Sequence, residues 1–174
     1  LPRNRVDERG CMMNASDSAE ARPRLNWPVS SSDHEVIGRL WLEHSAALAN
    51  RDLEGLLGTL TPDCVVQVVP TGQRWEGQPG ARAFYASLFS AFPDFQHALQ
   101  HIVIGPQGVF EAARITGTHL GVWTGIAPTN RPVALSVQAY FPWHPAQCRF
   151  EGQTIYFDRG EMDELLLGRA ACRG

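Results

Sequence analysis

What most restricts the fold of this chain is a change of period part-way along it. Before about residue 92 the apolar residues recur at three- and four-residue spacings. Val36, Ile37, Leu40, Trp41, His44, Ala47 and Leu48 fall on one face of such a segment, and "ARAFYASLFSAF" places Phe84, Leu88 and Phe92 on another. After it come "QHALQHIVIG", "GVFEAARITGTH", "PVALSVQAYFPW" and "CRFEGQTIYFD", which read as strands. Helices followed by a run of long antiparallel strands specify an α+β domain, with one curved sheet folded over the early helices.

The punctuation between these segments sets the boundaries. Residues 1–32 are polar, Arg-rich and without sustained periodicity, and read as a disordered or loosely docked tail. The folded body is expected over residues 33–168, with 169–174 as a short C-terminal tail. Ser32 or Asp33 can cap the first helix. "RDLEGLLGTLTPD" reads as a second, short helix closed near Pro62, "CVVQVVP" as a buried strand ended by Pro70, and "RGEMDELLLG" as a closing helix.

Composition narrows the partners. Hydrophobic residues make up 44% of the 174, enough for a core, while a net charge of −3 argues against nucleic acid or a membrane surface as partner. No lysine occurs, which removes Schiff-base chemistry. Cys11, Cys64, Cys148 and Cys172 show no CxxC spacing, so neither a zinc site nor a disulfide framework is expected. "HALQH" has helical metal-ligand spacing, but on a strand His97 and His101 stand about 13 Å apart. No metal site is expected. No apolar run approaches a membrane span and no signal peptide is read, so the expected location is the cytoplasm.

The connector "RITGTHLGVWTGIAPTNRPV" spends far more residues than a hairpin needs. Together with "SAFPDF" and "IYFDRGEMDELLLG", in that order along the chain, it resembles the SnoaL-like polyketide cyclases of the nuclear transport factor 2-like superfamily. The likeness runs from about Asp33 to Gly168. It implies a cone-shaped α+β fold with helices closing the mouth of a strongly bent, mainly antiparallel sheet over an apolar pocket. It also implies cofactor-independent aldol closure of a polyketide ester, the connector lying near the pocket. The connector can equally be a rigid hairpin end whose Trp caps the core.

The resemblance carries an acid on the last strand and a His on the adjacent one. Here those positions fall on Tyr156 and Ala139, and the nearest carboxylate is Asp158. Strand alternation puts Tyr156 and Asp158 on one face about 7 Å apart. Asp158 is therefore the expected acid/base with Tyr156 as hydrogen-bond donor, or else the cap of the closing helix. The expected inward wall is Val133, Leu135, Val137, Ala139 and Phe141. Trp41, His44, Trp75, His119, Trp123 and Tyr140 are the expected ligand-binding residues, the aromatics supplying apolar area with a polar tip.

Two function classes follow. One is a cyclase- or isomerase-like acid/base catalyst acting on a small hydrophobic carbonyl compound. The other is non-catalytic: a small-molecule-binding module, or a dimerisation domain whose cone is filled by its own side chains. A homodimer is expected under each.

Overall fold

The computed structural model describes residues 27, 28 and 30–168. The expectation for residues 1–32 falls almost wholly outside them, and that for 169–174 wholly. Helix α1 (Ser31–Ala49) is capped by Ser30, whose hydroxyl accepts the Asp33 amide, two residues before the position read from sequence. Its buried residues are Ile37, Leu40, Trp41, His44 and Ala47, the 3–4 stripe expected of an amphipathic helix. Helix α2 (Leu53–Gly58) leads into β1 (Leu60–Val68), and a single 3-10 turn (Val69–Thr71) joins it to β2 (Gln73–Glu76). Then come α3 (Gly77–Ala91), β3 (Gln96–Gly105), β4 (Gly108–Thr118), β5 (Pro132–His144), β6 (Arg149–Phe157) and α4 (Arg159–Leu167).

Pro62 lies inside β1 and not at the end of a helix. It can do so because the β1–β6 register shifts between Leu60 and Val65, where a missing N–H breaks no regular ladder.

The six strands form one sheet in the order β2-β1-β6-β5-β4-β3. All neighbours are antiparallel except β1 and β6. The fold is the expected α+β, nuclear transport factor 2-like arrangement with an open, curved sheet. Gly152 permits its tightest internal approach: it sits beside Val65 with φ of 134°, where a Cβ would meet the Val65 carbonyl oxygen at 1.9 Å. A register shift between Leu99 and His101 bends β3, and another between Tyr140 and Trp143 bends β5.

The concave face is apolar as read from sequence: Val133, Leu135, Val137, Ala139 and Phe141 are all buried. Helix α3 covers it with Ala81, Phe84, Tyr85 and Ala91. Among the described residues no helix is long and apolar enough to cross a membrane.

Candidate functional site

A cavity of about 80 Å³ lies between the concave face of the sheet, α3 and the β4–β5 connector. Its walls are mostly aliphatic and aromatic: Phe84 and Leu88 from α3, Ile115 from β4, Leu135 and Val137 from β5, Ile155 and Phe157 from β6. Five side chains with polar atoms interrupt them, namely Tyr85, His97, Glu111, Trp123 and Gln153.

His97 and Glu111 form the charge-capable pair. On β4 the inward positions run Val109, Glu111, Ala113, so strand alternation aims one carboxylate into an apolar wall. Burying it demands partners. Trp41 Nε1–H donates to Glu111 Oε2 at 2.9 Å, and His97 Nε2 lies 3.0 Å from Oε1. Both side chains of the pair are nearly enclosed, 11% and 5% exposed. With Nε2–H donating to the carboxylate, Nδ1 is the ring nitrogen left for other contacts.

A second polar group stands deeper. His44 Nδ1 is 2.7 Å from Thr59 Oγ1, and Tyr85 Oη lies 3.3 Å from His44 Nε2 and 3.0 Å from Gln153 Oε1. Burial, with a smaller contribution from His97, lowers the His44 pKa to about 3, so this ring is neutral. Burial first, then Cys64 and Glu111, raises that of the Tyr85 hydroxyl, which keeps its proton.

The connector closes one side of the cavity. Leu120 and Gly121 amides both donate to the Ala91 carbonyl at the end of α3. A Cβ on Gly121 would stand 2.5 Å from the Ser90 carbonyl oxygen, so only glycine allows this clamp. Trp123 and Ile126 pair across Thr124 and Gly125, both at positive φ, a primed turn that presents the indole to Phe84 and Phe92. Trp123 is buried and its Nε1–H has no hydrogen-bond partner.

Residues 39–145 match the family of SnoaL-like polyketide cyclases. The chain belongs to that family. Solved structures with the same fold include a candidate SnoaL-like polyketide cyclase from Jannaschia (20% identity, TM-score 0.67, covering 82% of this chain and 96% of that one). Another is AclR, a candidate hydroxylase from Streptomyces galilaeus (20% identity, TM-score 0.65, 78% and 83% covered). A protein from Catenulispora acidiphila with a ketosteroid isomerase-like fold, in complex with trimethylamine, aligns at 13% identity with a TM-score of 0.61, covering 73% and 91%. Among curated proteins none matches this chain.

Within this SnoaL-like domain the residues singled out from sequence separate. Trp123 lines the cavity. Trp41 stands behind it, holding Glu111, and Trp75 packs on Phe84 with ring centroids 5.0 Å apart. His44 is one layer behind the wall, against Tyr85 and Phe141. His119 is fully buried beside Phe92, its Nδ1 3.1 Å from Thr129 Oγ1, and burial lowers its pKa.

Three residues stand elsewhere. Tyr140 neighbours Phe110 on the sheet's outer face and donates to the Gln107 carbonyl at 2.8 Å, because Ala139 takes the inward position. Tyr156 is exposed on that outer face, since alternation gives the inner one to Gln153, Ile155 and Phe157. Asp158 is the N-cap of α4: its carboxylate accepts the Glu161 amide at 2.9 Å and lines no part of the cavity.

From sequence, His97 stood out only through its metal-ligand spacing to His101, and Glu111 did not stand out. The available signal was one carboxylate on the inward register of an otherwise apolar strand.

Proposed function

We propose that this SnoaL-like domain is an acid/base catalyst of enolisation, in the manner of aldol cyclisation or isomerisation, acting on a small hydrophobic carbonyl compound. The observation that carries the reading is the His97–Glu111 contact at 3.0 Å on the wall of an apolar cavity. A proton beside a carbonyl, or between two, is acidic enough that one positioned base can remove it. His97 Nδ1 would accept that proton. Glu111 would hold the ring in the required tautomer and stabilise the imidazolium, and Trp41 would fix the carboxylate. The imidazolium would then return its proton to the new alkoxide or to the enolate carbon. Trp123, which lines the cavity, would pack its indole against the substrate. Nothing in this proton traffic calls for a cofactor.

Enolisation can be tested before the natural substrate is known. A panel of bicyclic ketones such as 1-tetralone is incubated in D2O, and α-hydrogen exchange is followed by NMR. Protein-dependent exchange is expected, with His97→Gln lowering it by about 10²–10⁴-fold. No exchange above background with any ligand that binds would sink the catalytic reading in favour of a binding module.

We also propose pairing with a second copy through the outer sheet face, supported by the exposed side chains of Val103, Phe110 and Tyr156. Sedimentation velocity checks it, with Val103→Glu expected to shift the protein toward monomer.

A further inference from the structure

The deeper polar group yields to proton counting. Four links join five groups in a row: the Leu56 carbonyl, Thr59, His44, Tyr85 and Gln153. Thr59 Oγ1 is 2.7 Å from the Leu56 oxygen, and the other links measure 2.7, 3.3 and 3.0 Å. Thr59, His44 and Tyr85 are at most 3% exposed, so the row is enclosed by protein along most of its length.

Each hydroxyl has one proton and a neutral imidazole has one. A second ring proton is ruled out at neutral pH by the burial of His44. Three protons therefore serve four links unless Gln153 supplies the fourth. Thr59, at the C-cap of α2, spends its proton on the Leu56 carbonyl. It must then accept from His44 Nδ1–H, which leaves Nε2 bare to accept the Tyr85 hydroxyl. Tyr85 has no proton left for Gln153, so the amide must donate to it. A half-turn of the amide exchanges its N and O and moves no other atom. With Oε1 toward Tyr85, one buried link goes unmade; with Nε2 toward it, all four are satisfied.

We propose that Gln153 is the specificity-determining residue of the cavity. The Thr59–His44–Tyr85 relay holds its amide nitrogen inward, so the amide carbonyl faces the ligand. The cavity then offers an acceptor, and it selects compounds that carry a hydroxyl donor, an enol or a phenol, over otherwise equal ketones or ethers. This rests on the cavity being a ligand site, but not on His97 and Glu111 being the acid/base pair.

Two measurements decide it. In protein carrying 15N-histidine, the His44 ring resonances report the tautomer, with His44→Gln serving only to identify them. Nδ1–H with a bare Nε2 is expected at neutral pH, and an Nε2-protonated ring would overturn the proposal even if every Gln153 variant failed to fold. The second compares 1-naphthol with 1-methoxynaphthalene by titration calorimetry. The wild type should prefer 1-naphthol by about tenfold, and Gln153→Met should abolish that preference. Equal binding by the wild type, or no binding of either compound, removes the selectivity. A preference surviving in Gln153→Met assigns the hydroxyl to Glu111 instead. Neither readout needs turnover, so loss of the acid/base reading and loss of this one are separable.

Discussion

Two histidines about the same cone differ in what they can do. His97 has a carboxylate 3.0 Å away, and His44 has only a threonine, a tyrosine and aromatic ring edges. The carboxylate gives His97 a counter-charge within hydrogen-bond distance, which is what the proposed proton transfer requires. Neutral surroundings with no counter-charge hold His44 to one proton, which makes it a fixed link in a chain. Burial is common to both; the charge of the nearest partner separates a candidate base from a structural hydrogen-bonder.

The sharpest way to break that contrast is to exchange the roles by mutation. His97→Gln and Glu111→Gln should each lower ketone α-hydrogen exchange, the first by about 10²–10⁴-fold. Thr59→Val, which severs the deeper relay, should leave the exchange rate near wild type when assayed below its melting temperature. Equal rate losses from both clusters would merge them into one catalytic unit.

Next in size is acid sensitivity. The His44 pKa falls from 6.5 in the unfolded chain to about 3 in the fold. Between those values the unfolded chain binds the extra proton, so stability is constant above pH 6.5 and declines as pH falls through the window. A single such group gives a slope of about 1.4 kcal/mol per pH unit. His119 is shifted in the same direction by burial. His44→Gln should therefore flatten, without abolishing, the loss seen in denaturant melts from pH 6.5 toward 3. An unchanged slope in the variant would mean that His44 is charged in the fold.

A smaller effect is expected from Thr59→Val itself. It removes the acceptor for His44 Nδ1–H, leaving a buried donor unmatched, at a cost of about 1–3 kcal/mol by chemical denaturation. The smallest concerns Asp158, which touches neither cluster. Asp158→Ala should cost about 0.5–2 kcal/mol, and Asp158→Asn little, with exchange activity retained in both. Loss of exchange in Asp158→Asn would return this residue to the catalytic account.

The fold was legible because period and punctuation are local. The α1 stripe, the inward wall of β5 and the unusually long connector were all readable as strings. The resemblance favoured Asp158 as the acid, because it is the carboxylate nearest to the position, Tyr156, where the family acid falls. Its closeness to α4 lets it cap that helix. Glu111 was harder to read. Its partners are Trp41, 70 residues away, and His97, 14 residues away across the bend in β3.

By itself, then, the sequence determined the order of helices and strands, the apolar faces of α1, α3 and β5, and the family. These follow from side-chain volume, alternation and φ preference, which act between near neighbours. Only the tertiary structure decided which polar groups share the cavity, which carboxylate meets a histidine, and that Tyr140, Tyr156 and Asp158 face elsewhere. Those outcomes depend on sheet curvature and β-bulges, where a one-residue shift reverses the face a side chain occupies.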